Sequence, residues 1–220
     1  MTSKFQEIMK DKKAIVFDFD GTLIDSLNAW KNVDIAFFTK RNLHYDEHGY
    51  FNAIMGMNLQ SCAEYTIKTY NLNETPEQIM AEWNASYEQL FCREITFYPK
   101  AKDFLNYLKQ NKIPFGIATA GPRKIFDLFF SNHSELKDDI TFVSCDDVNT
   151  NKPDPTVYFE CMKRMGFSPD ECVVFEDSVT GLQGAVNTGS RVVCALTDQK
   201  KREEKIKLAH HYFEDYSELI

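Results

Sequence analysis

Residues 14–23 read AIVFDFDGTL, and this stretch decides how the rest of the chain is interpreted. The first four residues are apolar and predict a short strand that is buried on both faces of a parallel sheet. Asp18 and Asp20 follow at the carboxyl end of that strand, where open α/β sheets form their ligand crevices. Two carboxylates crowded there repel each other, and a hard cation such as Mg²⁺ removes that repulsion. A carboxylate beside such an ion can also act as a nucleophile toward phosphorus.

Two other interpretations of the stretch stay open on these residues alone. Asp and Gly are common in turns, so the strand could simply end in an acidic turn. A calcium-binding loop is the second alternative, but it needs ligands at alternating positions and a closing Glu. The apolar Leu23 and Ile24 fit that pattern poorly.

Composition limits the class of protein. The chain has 220 residues, of which 43% are hydrophobic, and a net charge of −8. This length suffices for one large domain or a domain with an insertion. No long basic run is present, which disfavours a nucleic-acid partner. The first 13 residues lack the apolar core of a signal peptide, and no apolar run reaches the ~20 residues of a membrane span. We therefore expect a soluble, cytoplasmic monomer without a membrane partner.

The six cysteines are scattered along the chain, and none forms a C-x-x-C pair. Zinc sites and disulfide frameworks are therefore weakly supported. We expect reduced, mostly buried thiols.

Further apolar segments predict the other strands of the sheet. Residues 115–118, 172–175 and 191–196 resemble the first strand, while residues 140–144 and 212–213 are weaker candidates. Amphipathic patterns over residues 101–110 and 155–165 predict helices between them. Strands that alternate with helices predict an α/β fold with a Rossmann-like, doubly wound parallel sheet.

A long gap between the first two strands interrupts this alternation. Residues 26–40, 46–55, 59–70 and 76–91 all show helical spacing, with Asp46 and Thr75 as candidate N-caps. The sequence therefore predicts a helical cap domain over residues 26–94. The core domain would comprise residues 1–25 and 95–220, and residues 25–26 and 95–99 would connect the two.

Two further strand ends carry groups suited to anion binding. Thr119 is followed by the small residues Ala120 and Gly121, whose backbone amides can approach an anion. Lys152 lies between Asn151 and the prolines of a rigid turn, which would fix its ammonium group. The alternatives are an ordinary strand-to-helix turn for the first segment and an exposed loop lysine for the second.

A second acidic strand end repeats the pattern of the first. Glu176 and Asp177 follow the apolar residues 172–175. Adjacent residues of a strand face opposite ways, so both can reach one ion only if the chain turns there. The alternative is a helix N-terminus whose dipole favours acidic residues. That alternative does not explain why acidic residues follow the end of an apolar strand for a second time in this chain.

Four motifs of the chain, in this order, resemble those of the haloacid dehalogenase superfamily. They are Asp18-Phe19-Asp20-Gly21-Thr22, Thr119, Lys152-Pro153-Asp154-Pro155 and Glu176-Asp177-Ser178. The match spans nearly the whole chain, and the helical insertion resembles the cap that this family places between its first and second motifs. The chain is most similar to the subgroup of phosphoglycolate phosphatase and β-phosphoglucomutase-like enzymes.

This resemblance implies a Mg²⁺-dependent phosphatase. Asp18 would attack phosphorus and become an aspartyl phosphate, while Asp20 would protonate the leaving oxygen and then activate water. Asp18, the Asp20 carbonyl and Asp177 would bind Mg²⁺, with Glu176 as a helper.

The same resemblance implies a phosphate site and exposes two departures from the family. Thr119, the Ala120 amide and Lys152 would hold the transferred phosphoryl group. The family often carries Asn or Ser where this chain has Ala120 and Gly121, so a side-chain contact is missing. Lys100 stands where the family often has a glycine.

The substrate would be a small phosphate ester, such as a sugar phosphate, and the cap would select it. Trp30, Asp34, Met57 and Asn58 are the candidate specificity residues, although aromatic and methionine side chains also build cap cores. The alternative function is a phosphomutase of the β-phosphoglucomutase type. Mutases of the subgroup carry a His where this chain has Trp30, which favours the hydrolase. A non-catalytic sensor is a third possibility, and the complete motifs disfavour it.

Overall fold

Six parallel strands form the centre of the molecule. The computed structural model describes residues 3–137 and 140–220, with the backbone alone for residue 27 and residues 89–94. The strands are β1 (Ala14–Phe17), β2 (Phe115–Thr119), β3 (Thr141–Ser144), β4 (Cys172–Glu176), β5 (Arg191–Ala195) and β6 (His211–Phe213). Their order across the sheet is β3-β2-β1-β4-β5-β6. The predicted doubly wound parallel sheet is confirmed.

The register of the sheet aligns the strand ends that carry the motifs. Phe17 of β1 lies opposite Ile117 of β2 and Phe175 of β4. The next residue, Asp18, continues the ladder because its amide donates to the Phe175 carbonyl at 2.9 Å. The residues that follow β1, β2 and β4 therefore meet at one edge of the sheet.

Helices cover both faces of the sheet. Ile15 and Phe17 belong to one hydrophobic cluster, and Ala14 and Val16 belong to the other. Over residues 3–137 and 140–220, eight helices accompany the sheet: α1 (Lys4–Ile8), α6 (Ala101–Gln110), α7 (Arg123–Ser131), α8 (Ser134–Lys137), α9 (Cys145–Val148), α10 (Thr156–Met165), α11 (Val179–Asn187) and α12 (Arg202–Leu208). Two 3₁₀ turns, Pro169–Glu171 and Tyr216–Leu219, complete this part. None of the helices in the described ranges combines the length and apolarity needed to cross a membrane.

The insertion between β1 and β2 is helical, as predicted. It contains α2 (Leu27–Lys40), α3 (Glu47–Ile54), α4 (Leu59–Tyr70) and α5 (Pro76–Glu94). Both predicted N-caps are present, because Asp46 accepts from the Gly49 amide at 3.1 Å and Thr75 forms a capping box with Gln78. Helix α5 extends three residues beyond the predicted end. The exact boundaries of the cap domain stay a prediction.

Hydrogen bonds join the cap to the core beside the motif lysine. The Gly56 carbonyl accepts from the Lys152 amide at 2.9 Å, and the Asn58 amide donates to Asn151 Oδ1 at 2.6 Å. Asn151 Nδ2 also donates to Ser61 Oγ at 2.9 Å. Gly56 has φ +84°, and a Cβ there would lie 2.7 Å from Thr180. Glycine therefore lets this cap loop bend and approach the core closely.

Five of the six cysteines are free and buried in the part of the chain that the structure describes. They are Cys62, Cys145, Cys161, Cys172 and Cys194. The side chain of Cys92 lies outside the described residues.

Candidate active site

Three buried carboxylates form the centre of the site. Asp18 follows β1, Glu176 ends β4 and Asp177 follows it, and each offers an oxygen within 4.8 Å of the others. Thr22 Oγ1 donates to Asp177 Oδ1 at 3.2 Å. A Cβ at Gly21 would lie 2.6 Å from the Asp177 carboxylate, so the glycine is required by this close approach. The chain turns after Glu176, so that the adjacent carboxylates of Glu176 and Asp177 lie close enough to face one ion.

Lys152 brings one positive charge into this cluster. Its Nζ donates to Asp18 Oδ1 at 2.6 Å, to Glu176 Oε1 at 2.5 Å and to the Ala118 carbonyl at 3.3 Å. The side chain is buried at the carboxyl ends of the strands, so the exposed-loop alternative does not hold. Burial alone would lower the pKa of Lys152, but the carboxylates of Asp18 and Glu176 outweigh it and raise that pKa.

Glu176 is already satisfied by protein donors. Its Oε1 accepts from Lys152 and from the Tyr158 hydroxyl, at 2.8 Å for the latter. Its Oε2 accepts from the Asp177 amide at 3.0 Å and from the amide and hydroxyl of Ser178 at 3.2 Å. A Cβ at Gly181 would lie only 2.1 Å from this carboxylate. Glu176 therefore acts mainly as an anchor for Lys152 and for the turn after β4.

Asp18 and Asp177 have the free capacity for a cation. Burial, followed by the neighbouring Glu176 charge, raises the pKa of Asp18 and raises that of Asp177 to about 7. Within the described residues, Lys152 is the only cation in direct contact with the three carboxylates. A second positive charge would remove this imbalance, and oxygen donors of this kind suit Mg²⁺. The donor set therefore fits the magnesium ion that the family resemblance implies.

The Asp20 side chain is turned away from this cluster. Its Oδ1 accepts from Ser26 Oγ at 2.5 Å and from Trp30 Nε1 at 3.3 Å. Its Oδ2 would lie 2.7 Å from a Cβ at Gly121, so that glycine allows a close approach. Burial raises the pKa of Asp20, although the bonds from Ser26 and Trp30 oppose the shift. The contact of the Asp20 carbonyl with a cation stays a prediction.

Thr119 and Ala120 line the same cavity as Asp18 and Asp177. Thr119 ends β2, is buried, and accepts from the Gly121 amide through Oγ1 at 3.0 Å. Together with Asp18, Asp20, Lys152 and Asp177, both residues line one cavity between the core and the cap. Glu176 reaches the site through Lys152 and does not line this cavity.

Some residues of the site were not singled out from the sequence. Ser26 and Tyr158 hold Asp20 and Glu176, and Asn151 joins the cap to the core. Each is a single polar side chain whose partner lies far along the chain or on another element. Only the position of Ser26 at the start of the helix predicted over residues 26–40 could have drawn attention to it.

Comparison with known proteins agrees with this geometry. A family model described as haloacid dehalogenase-like hydrolase matches residues 15–195. A protein named phosphorylated carbohydrates phosphatase, from Thermotoga maritima, is 26% identical over 200 residues, which are 86% of this chain and 88% of that protein. Hexitol phosphatase B of Escherichia coli is 23% identical over 216 residues, which are 94% of this chain and 93% of that protein.

A solved structure supports the fold independently. CbbY from Rhodobacter sphaeroides, crystallised in complex with phosphate, matches with a TM-score of 0.83 over 94% of this chain and 96% of that one. The two sequences are 20% identical, so the likeness concerns the fold.

Proposed function

Because the chain belongs to the haloacid dehalogenase-like hydrolase family, we propose that it hydrolyses a small phosphate monoester through a phosphoaspartate intermediate. One observation carries the proposal. Asp18, Asp177, the fixed Lys152 and the Asp20 carboxyl all line one cavity at the edge of the sheet, and Glu176 holds Lys152 in place there. The nearest alternatives, an acidic turn or a capped helix, give no reason for these groups to converge.

In the first step, an Asp18 oxygen attacks phosphorus and the bond from phosphorus to the leaving oxygen breaks. Asp20 transfers its proton to that oxygen, and its raised pKa suits this role as an acid. In the second step, Asp20 takes a proton from water. The hydroxide so formed attacks phosphorus, and the Asp18–phosphorus bond breaks to release inorganic phosphate and free Asp18.

The remaining side chains hold the phosphoryl group. Lys152, the Thr119 hydroxyl and the Ala120 amide would contact its oxygens, where negative charge accumulates in the transition state. Asp18, Asp177 and the Asp20 carbonyl would hold Mg²⁺, which supplies positive charge to the phosphoryl oxygens when bound. Glu176 keeps Lys152 in place.

Hydrolysis is favoured over mutase chemistry by the environment of Asp20. Trp30, which stands at the mutase histidine position, donates to Asp20 and stacks on Tyr87 at a centroid distance of 4.0 Å. An indole N–H can donate but cannot accept or transfer a proton as imidazole does. The names of two similar proteins, a phosphorylated carbohydrates phosphatase and a hexitol phosphatase, support a phosphorylated carbohydrate as the substrate class.

The nucleophile is tested with p-nitrophenyl phosphate and Mg²⁺. We expect the wild-type protein to release phosphate and Asp18→Asn to lose activity by about 10³-fold or more, because the amide is a far weaker nucleophile. Asp103→Asn, which changes an exposed carboxylate of α6, is the matched control and should retain activity. Activity in Asp18→Asn close to that of the control would contradict the proposal.

The cation is tested by thermal unfolding as well as by activity. We expect Mg²⁺ to raise the Tm of the wild-type protein, because an ion that binds only the folded state stabilises it. Asp177→Asn should abolish this rise, and chelation should remove activity in the wild type. An equal rise in Tm for Asp177→Asn would show that the ion binds elsewhere.

A further inference from the structure

A second cavity lies beside the catalytic one, between the cap and the core. Its walls include Phe51 and Asn52 of α3, Thr180 of α11, Lys200 and Lys201 just before α12, and Lys205 within α12. We call this cavity the lysine cleft. Asp177 and Ser178 line both cavities, so the two adjoin at the turn after β4. The function proposed above uses none of the three lysines.

The lysine cleft concentrates positive charge in a chain whose net charge is −8. Neither Lys200 nor Lys201 forms an ion pair with any residue that the structure describes. The Lys200 side chain extends toward the cap, where its Nζ lies 5.1 Å from the centre of the Phe51 ring. Two unpaired ammonium groups beside one cleft attract anions to it.

Lys205 adds a buried ammonium group to the same cleft. It is only 4% exposed, and its Nζ donates to Asp198 Oδ1 at 2.8 Å. An ammonium group has three donors, and no second hydrogen bond of this one occurs within residues 3–137 and 140–220. Lys205 and Asp198 offset each other, while Asp177 belongs to the cation site described above. Lys200 and Lys201 therefore remain as the uncompensated charges of the cleft.

The size and the lining of the lysine cleft limit what can bind there. Its volume is about 70 Å³. One water molecule needs only ~10–15 Å³ on this measure, so the cleft has room for one small polyatomic ion and not for a peptide or a nucleic-acid strand. Lysine binds phosphate as a point charge, and Asn52 and Thr180 can add neutral hydrogen-bond donors.

We infer that the lysine cleft is a second anion site, which binds a phosphate group outside the catalytic centre. The group is either free inorganic phosphate or the phosphate end of a larger ester, and both present the same oxygens to the lysines. Because the walls come from α3 of the cap and α12 of the core, the bound anion would also join these two parts. The inference is independent of the proposed function, because neither hydrolysis nor a metal ion enters it.

Binding is measured site by site with ¹⁵N-labelled protein and inorganic phosphate near neutral pH. The backbone amide resonances of Thr180 and Lys201 report on the lysine cleft, and those of Ala120 and Gly121 report on the catalytic cavity. We expect phosphate to shift both pairs along saturable curves. Chloride at equal ionic strength should shift neither pair.

The decisive variant combines Lys200→Gln with Lys201→Gln. We expect the Kd read at Thr180 to rise about tenfold or more, because two charges that contact the phosphate are lost. The Kd read at Ala120 should change by less than about twofold, since more distant exposed charges are screened. The matched control combines Lys163→Gln with Lys207→Gln, two exposed lysines outside the cleft, and changes the net charge equally. It should leave both Kd values unchanged.

The source of the phosphate group is identified with glucose 6-phosphate and Asp18→Asn protein, in which the ester is not consumed. Shifts of Thr180 and Lys201 with the ester would assign the site to a larger molecule, and shifts with inorganic phosphate alone would assign it to the free ion. Shifts confined to these two residues would support the inference and contradict the catalytic phosphate site. An unchanged Kd at Thr180 in the double variant would overturn the inference, and so would phosphate shifts no larger than those with chloride.

Discussion

At the scale of single residues, Lys100 is in a conformation that lysine disfavours. It precedes α6 with φ +65°, in the left-handed region, and its side chain makes no capping hydrogen bond. Its ion pair with Asp103 is exposed. We expect Lys100→Gly to increase the free energy of unfolding by about 1 kcal/mol, because glycine removes the left-handed strain. Denaturant unfolding measures this difference.

A second lysine of the same helix provides the contrast. Lys102 is the second residue of α6 and pairs with Glu135 at 2.9 Å. Lys102→Gly should therefore decrease stability by about 1 kcal/mol, because glycine has a low helix propensity and the exposed ion pair is lost. If both glycine variants were destabilised alike, the left-handed strain at Lys100 would not be the governing factor.

Residue identities could be predicted at this scale, but their contacts could not. Apolar strands and prolines mark the positions of Asp18, Asp177 and Lys152 in the sequence, and the structure brings these residues together. Their catalytic roles stay predictions. The hydrogen bonds of Glu176 with Tyr158 and of Asp20 with Trp30 depend on how helices pack, which no local pattern encodes. For Lys100, the sequence shows only that the glycine common at this position in the family is absent. It does not show that the backbone there is left-handed.

At the scale of elements, α2 carries a buried acid that weakens the fold near neutral pH. The pKa of Asp34 is about 7, above its usual value, because burial disfavours the charged form. Its neighbours Tyr45, Tyr50, Cys62 and Tyr70 are uncharged near neutrality. Since the folded-state pKa is the higher one, the cost to stability is absent below about pH 4 and is fully developed above about pH 7.

We therefore expect Asp34→Asn to stabilise the protein, and more so at higher pH. The gain should approach roughly 3–4 kcal/mol at about pH 8 and shrink steadily toward about pH 5, since the asparagine cannot ionise. Denaturant unfolding of both proteins across this pH range measures the difference. Asp103→Asn should show no such trend. A gain independent of pH would exclude desolvation of the Asp34 charge as its cause.

Element positions followed well from the sequence, and the errors at the ends of β2 and β4 have a common cause. β2 and β4 each run one residue further than the apolar pattern, because Thr119 and Glu176 stay in the ladder opposite Ser144 and Cys194. Polar residues ended the predicted strands, but their backbones still pair and their side chains are buried by the site. Polar residues of the site therefore make the ends of β2 and β4 hard to predict from an apolar pattern.

At the scale of the whole molecule, Asn151 links the two parts that enclose the cavity. Its side chain accepts from the Asn58 amide and donates to Ser61 on α4. We expect Asn151→Ala to lower kcat/KM about thirtyfold, because two hydrogen bonds of about 1 kcal/mol each hold the cap over the core. Amide hydrogen exchange at Asn58 should become faster in the same variant.

The matched control is Asn111→Ala, an exposed position after α6 whose side chain donates to the Tyr107 carbonyl of that helix. Ser61→Ala removes one of the two bonds and should give a smaller loss. Unchanged exchange at Asn58 in Asn151→Ala would mean that other contacts keep the cap in place.

The chain has two tryptophans, Trp30 and Trp83, and both line the cavity that Asp18 and Asp20 also line. One indole stacks on Tyr87 beside the Asp20 carboxylate, and the other lies against Phe37 with its N–H unbonded among the described residues. Intrinsic fluorescence excited at the indole band therefore originates entirely from the walls of this chamber. Tryptophan emission of the unlabelled protein should therefore change when a molecule binds in this cavity.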